Sequence, residues 1–272
     1  MRPSLVSMLR GGWFTRGRAI PDRRLRAVAF RSPDGIRLAG WYGEPDGATG
    51  TIILCHGVPG SKRDMAGLAR ALLDAGFGVL AFDFRNWGGS ERTSVTLGYR
   101  EVQDVLGAVA FVRQRAGPRH RIGVVGLSMG AAAAILAAAE TPVIDAVVAD
   151  SSYARLDRAV ERVARRVWGP LASLAWRRTR RLGERLVGAP LASVAPIDAI
   201  AKISPRPVLI IHGMQDRLTD VGDARALYGA CGDPKSLWIV EQAGHARTRR
   251  VGTREYDRRV IGFLREHVAT MT

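Results

Sequence analysis

Lysine is nearly missing from this chain of 272 residues, with only Lys62, Lys202 and Lys235 present. The 41 basic residues are therefore almost all arginine, and against 25 acidic residues they leave a formal net charge of +16. Such a charge either draws an anionic partner or is spread over solvated faces. Cysteine is scarcer still. Cys55 and Cys231 fall in an apolar strand and at a helix end, which points to a reducing compartment rather than a disulfide framework. No Cys or His spacing suits a metal site. No apolar run approaches the ~18 residues of a membrane span. The N-terminus, basic with Trp13 and Phe14 at its centre, lacks the apolar stretch and cleavage site of a signal peptide. A cytoplasmic location is expected, with weak contact at an anionic membrane surface as an addition and no specific nucleic acid. Histidine occurs five times, so candidates for a general base are few.

What is present centres on the stretch Arg121 to Glu140. It opens with a β-branched apolar run, Ile122, Val124 and Val125, suited to a strand buried on both faces. It closes with the Ala-rich segment Ala131 to Ala139, of very high helix propensity. Between them lies Gly126-Leu127-Ser128-Met129-Gly130, a G-x-S-x-G. A sharp strand-to-helix turn there would lift the Ser128 hydroxyl above the sheet edge in a strained conformation, where side chains at 126 and 130 would collide. The helix start adds free N–H groups beside the hydroxyl.

Short apolar runs alternate with helical patterns along the remainder. Strands are expected over Ala27–Arg31, Ile36–Tyr42, Gly50–Cys55, Gly78–Phe82, Ile144–Ala149, Pro207–His212 and Ser236–Val240. Helices are expected over Asp64–Ala75, Tyr99–Gln114, Val221–Ala230 and Glu255–Val268. That alternation predicts an α/β domain with a mostly parallel sheet covered on both sides. It breaks between Tyr153 and Pro196, where two arginine-dense helical runs follow one another. The first should bury Leu156, Val160, Val163 and Val167; the second should bury Leu171, Leu174, Leu182 and Leu186 and expose Arg177, Arg178, Arg180 and Arg181. The organisation expected is a basic lead-in over 1–25, a core over 26–152 and 197–272, and a helical cap over 153–196. Ten arginines but three acids lie between Arg155 and Arg185, so most of those arginines should lack a local partner.

A serine hydroxyl needs a base within hydrogen-bond reach to act as a nucleophile. His56 and His212 end strands, while His120 and His267 lie in an approach segment and the last helix. His245 sits in a loop after the last strand, where its ring could swing over the sheet edge. The acid that orients it should leave another strand at the same edge. Asp216 fits, with Asp220, Asp223 and Asp150 as rivals. The order Ser, Asp, His is that of a nucleophile-elbow enzyme.

Five motifs in order, His56-Gly57-x-Pro59-Gly60, Phe82-Asp83-x-Arg85-x-x-Gly88-x-Ser90, the G-x-S-x-G, His212-Gly213-x-x-Asp216 and Gly244-His245, resemble the α/β-hydrolase family. The detailed look is similar to its serine-aminopeptidase-like and dienelactone-hydrolase-like branches. The resemblance covers about Ala27 to Val268 and implies an eight-stranded, mostly parallel sheet flanked by helices. It implies Ser128 as nucleophile, Asp216 as acid and His245 as base, with an oxyanion hole from the backbone N–H groups of Val58 and Met129. His56 and Asp83 match structural positions of the family. Leu218-Thr219 stand where Val-Pro is usual, which keeps Asp220 as an alternative acid. A serine nucleophile sets aside the dehalogenase and epoxide-hydrolase chemistries of this fold. The expected activity is that of a serine hydrolase cleaving a small acyl ester, or a thioester or amide, without metal or organic cofactor. A peptidase on the same machinery and a basic binding module with a vestigial site are the alternatives; the oligomeric state is left open.

Overall fold

A computed structural model describes residues 20–169, 180–185 and 188–269. The basic lead-in and part of the second helical run, including Leu171, Leu174, Arg177, Arg178 and Leu186, lie outside the described residues. Eight strands form one sheet in the order β1-β2-β4-β3-β5-β6-β7-β8. β1 (Arg26–Arg31) and β2 (Arg37–Gly43) make an antiparallel hairpin, and β2 pairs antiparallel with β4 (Gly78–Phe82). From β4 onward every neighbour is parallel: β3 (Thr51–Cys55), β5 (Ile122–Leu127), β6 (Ala146–Asp150), β7 (Val208–Gly213) and β8 (Lys235–Val240). The expected eight-stranded, mostly parallel sheet is therefore present, with strand ends within two residues of those predicted.

The alternation of side chains along β3 explains why its whole length is apolar. Ile53 and Cys55 enter one core with α2 (Glu101–Ala116), α3 (Met129–Glu140) and α6 (Val221–Ala230). Ile52 and Leu54 enter the other, with α1 (Ala66–Asp74) and α8 (Thr253–His267). A strand with helices on both faces has no solvent side to mark with polar residues. β3 also sits where the strand order reverses, with β4 on one side and β5 on the other. In open α/β sheets the crevice at the carboxyl ends of such strands is where ligands bind.

The chain leaves β6 for a long excursion that holds α4 (Leu156–Trp168), a helical piece at 180–185, and α5 (Pro196–Ala199) before β7. Leu156 and Ala159 of α4 pack with Tyr153, Leu191 and Val194 over Ala132 of α3, with Val160 at the margin. Two expectations for this excursion need correction. Leu182 is 55% exposed rather than inside. Its arginines also have more partners than the local sequence offers. Arg158 and Arg165 pair with Glu161, and Arg180 with Glu184. Arg155 and Arg162 pair with Asp198 and Asp223, acids that lie beyond the segment, and Arg166 donates to the carbonyl of Arg217.

The turn at the start of α1 also differs from the expected helix. Lys62–Met65 is a 3-10 turn capped by Ser61, and Asp64 returns the favour by accepting the Ser61 N–H at 2.8 Å. Each side chain of this capping box satisfies an otherwise orphan backbone donor.

Candidate active site

β5 ends at Leu127, and Ser128 turns the chain into α3 with φ of 55°. A non-glycine residue in that region is strained and persists only where its surroundings enforce it. The surroundings here are close. A methyl group on Gly126 would lie 2.4 Å from the Gly130 carbonyl oxygen, and one on Gly130 would lie 2.4 Å from that of Cys55. Neither contact is tolerable, so both flanking glycines are dictated by the turn. The Ser128 N–H donates to Asp150 O at 2.8 Å, which ties the turn to β6.

β7 and β8 supply the other two side chains. Asp216 lies three residues beyond β7 and His245 in the loop after β8. Those loops are stitched together by Gln215 N–H donating to Ala243 O at 2.9 Å. Ser128 Oγ lies 2.9 Å from His245 Nε2, and His245 Nδ1 lies 2.7 Å from Asp216 Oδ2. The imidazole thus bridges hydroxyl and carboxylate through its two nitrogens. Burial pushes the Asp216 carboxyl upward, but hydrogen bonds from His245, Leu218 and Thr219 outweigh it and hold the group below the usual carboxylate range. Its other oxygen, Oδ1, accepts the N–H groups of Leu218 at 2.8 Å and Thr219 at 3.0 Å.

The rival acids are engaged elsewhere. Asp220 caps α6, accepting the Gly222 N–H at 2.7 Å. Asp223 completes that capping box and pairs with Arg162. Asp150 is buried beside the elbow, where it accepts from Ser151 Oγ at 2.9 Å and from Thr248. Burial raises its pKa.

Val58 and Met129 flank the serine. Met129 is the first residue of α3, so its N–H has no partner four residues back within the helix. Gly57 passes so near that a methyl group on it would lie 3.3 Å from Ser128 Cβ, and Val58 borders the same cavity as Ser128. His56 is fully buried: its Nε2 accepts the Phe84 N–H at 3.1 Å and its Nδ1 donates to Gly57 O at 2.7 Å. Asp83 accepts the N–H groups of Lys62 and Gly89, both at 2.8 Å, and pairs with the Lys62 ammonium. Arg85, 1% exposed, forks onto Asp34 at 2.8 and 2.9 Å and holds Asp104 at 2.6 Å. These motif residues brace the loops around the site and do not face the serine hydroxyl.

Two side chains that sequence reading did not select as site residues lie against Asp216: His212, whose Nε2 is 3.6 Å from Oδ2, and Thr219. The Thr219 hydroxyl lies 2.8 Å from Asp216 Oδ2 and 3.2 Å from His245 Nδ1. The signal was its departure from the usual Val-Pro, which pointed to the loop without revealing a donor.

Ser128, His245, Gly57 and Val58 border a cavity of about 570 Å³. Its remaining wall includes Met65, Leu68, Leu218, Arg249, Arg250 and Thr253. A volume of this order suits a small-molecule ligand.

A profile of the alpha/beta hydrolase fold matches residues 50–196, over half of the chain. The chain belongs to the α/β-hydrolase family. Among the relatives of this α/β hydrolase is the uncharacterized protein YqkD of Bacillus subtilis, 30% identical over 253 residues, or 89% of this chain and 80% of the relative. YfhR of Escherichia coli is 29% identical over 227 residues, covering 80% and 72%. An esterase of Pyrococcus furiosus is similar in structure, with a TM-score of 0.77 at 28% identity over 93% of this chain and 96% of its own. Among the described residues, no helix is long and apolar enough to cross a membrane.

Proposed function

We propose that this α/β hydrolase is a serine esterase working through an acyl-enzyme. One observation carries the reading: a strained serine at a strand-to-helix turn lies 2.9 Å from a histidine that is itself 2.7 Å from a buried carboxylate. His245 Nε2 accepts the Ser128 proton as Oγ attacks the ester carbonyl carbon. The carbonyl oxygen takes up the negative charge and is met by the N–H groups of Val58 and Met129; one such donor is typically worth ~10²–10³ in rate. His245 returns the proton to the departing alkoxide, leaving an acyl group on Ser128. Water then follows the same route, giving up its proton to His245 and releasing the carboxylic acid. Asp216 keeps the imidazole in the tautomer with Nδ1 protonated and stabilises the imidazolium. Similarity to the P. furiosus esterase supports an ester over an amide.

The test is a fluorophosphonate probe followed by peptide mapping, together with p-nitrophenyl esters and aminoacyl anilides as substrates. Label on Ser128 alone, ester turnover, and loss of both in Ser128→Ala are expected. Label elsewhere, or none on folded protein, overturns the nucleophile. Preference for the anilides over the esters turns the reading into a peptidase.

A further inference from the structure

Two arginines line the cavity beside Ser128, and neither belongs to the arginine-dense excursion. Both sit on α7 (Thr248–Val251), three residues beyond His245. Arg249 is fixed. Its Nε and Nη2 fork onto Asp257 at 2.7 and 2.8 Å, and its Nη1 lies so close over α1 that a methyl group on Gly67 would come within 2.5 Å of it. Glycine inside a helix costs about 1 kcal/mol relative to alanine. At Gly67 it leaves room for the guanidinium.

Arg250 is different. It has no hydrogen-bond or ion-pair partner among the described residues, and it is exposed on the cavity wall. An exposed arginine is common in a chain of net charge +16. What singles out Arg250 is its company. Two carboxylates share the cavity lining, Asp64 and Asp150. Asp64 is committed to the capping box with Ser61, and Asp150 is buried against Thr248 and Ser151. Arg249 is balanced by Asp257. The cation left uncompensated on this wall is Arg250. Met65 and Leu68 give the lining of this cavity an apolar part. None of the described arginines of α4 or 180–185 borders this cavity, and most of them are already paired.

We propose that the cavity takes esters carrying a carboxylate remote from the scissile bond, with Arg250 as its receptor and Arg249 as a fixed charge behind it. A guanidinium fork matches a carboxylate in geometry and is always charged. The part of the ligand between ester and carboxylate would lie along Met65 and Leu68. The substrate class therefore rests on the esterase reading, whereas the binding site itself does not.

Binding is measured by calorimetry on Ser128→Ala protein, with mono(p-nitrophenyl) glutarate and its methyl-capped neutral ester. The carboxylate ester is expected to bind about tenfold or more tightly, the scale of one hydrogen bond to a charged group. Adding Arg250→Gln should abolish that ratio, and Arg250→Lys should restore part of it. Arg265→Gln removes the same unit charge twelve residues along α8 from Thr253, or ~18 Å at 1.5 Å per residue, and should leave the ratio intact. Equal binding of the two esters overturns the proposal, as does a ratio that survives Arg250→Gln or falls equally with Arg265→Gln. Wild type is assayed in parallel. Arg250-dependent binding with neither turnover nor fluorophosphonate label would defeat the esterase and leave the anion site standing. Turnover with no preference in binding would do the reverse.

Discussion

Asp216→Asn tests the proposed mechanism where its geometry is most constrained. Oδ1 of Asp216 accepts two backbone N–H groups, from Leu218 at 2.8 Å and Thr219 at 3.0 Å. Oδ2 accepts from His245 Nδ1 at 2.7 Å. An asparagine has one oxygen for these two places. The backbone donors cannot turn away, so the amide oxygen should take the Oδ1 position and the NH₂ should face His245. An amide N–H can only donate, which forces Nδ1 to accept and puts the imidazole proton on Nε2. That proton then points at Ser128 Oγ, 2.9 Å away, where a proton acceptor is required. The corresponding change in a serine protease lowers kcat ~10⁴-fold, or about 5.4 kcal/mol at 1.36 kcal/mol per decade. Single-turnover release of p-nitrophenol from p-nitrophenyl butyrate reads the acylation step directly. Asp220→Asn is the comparison, since Asp220 only caps α6 and asparagine caps a helix about as well, so stability should hardly change. Activity of Asp216→Asn within about tenfold of wild type, or an equal loss in Asp220→Asn, would refute the reasoning.

Thr219→Val removes a donor from Asp216 Oδ2 and leaves that oxygen to His245, so the imidazolium should be better stabilised. kcat/KM is expected to rise, by no more than about tenfold, from a net hydrogen-bond worth of ~0.5–1.5 kcal/mol; a fall counts against it. Arg85→Ala strands Asp104, a carboxylate with no exposed surface, and should cost about 3–5 kcal/mol in urea unfolding, as breaking a buried pair does elsewhere. For His56, burial foremost lowers the pKa, and protonation would set Nε2–H against the Phe84 N–H. The unfolded chain therefore binds the proton first: stability should be complete above the unfolded value of ~6.5 and fall below it, by up to 1.36 kcal/mol per pH unit. Urea titrations between pH 5 and 8 should show that slope flattened in His56→Gln.

The elbow was legible because its causes are local. Two glycines, a β-branched strand and an alanine helix specify the turn within twenty residues, and the contacts at Gly126 and Gly130 are made within the turn and with the neighbouring strand end. His245 was legible from its loop, since only one of five histidines follows the last strand directly. Asp216 needed chain order and family resemblance, because Asp220 and Asp223 follow closely in the sequence and their work at the cap of α6 is invisible until the helix is in place. Thr219 meets His245 only once the loops after β7 and β8 are side by side, and Arg250 borders the cavity only once its walls are assembled; single-sequence patterns carry no such information. The same reason explains the excursion after β6. Arg155 and Arg162 read as unpaired because Asp198 and Asp223 lie outside the segment. Leu182 read as interior because helical spacing identifies a stripe without saying what covers it.

The spread of the three proposed catalytic side chains along the chain has a kinetic meaning. Ser128 and His245 are separated by 117 positions, and the sheet connects them only through β6, β7 and β8. A chain stalled with β3, β4 and β5 paired would possess its elbow, its glycine packing and much of one core, yet no base and no acid. Long-range parallel pairings of this kind form slowly, since the entropy of closing each loop is lost before any contact repays it. Regain of hydrolysis during refolding should consequently trail regain of helical signal. Turnover then acts as a clock on the docking of the last two strands, and a substitution that only delays β8 would look like a catalytic defect in any assay read too soon after synthesis.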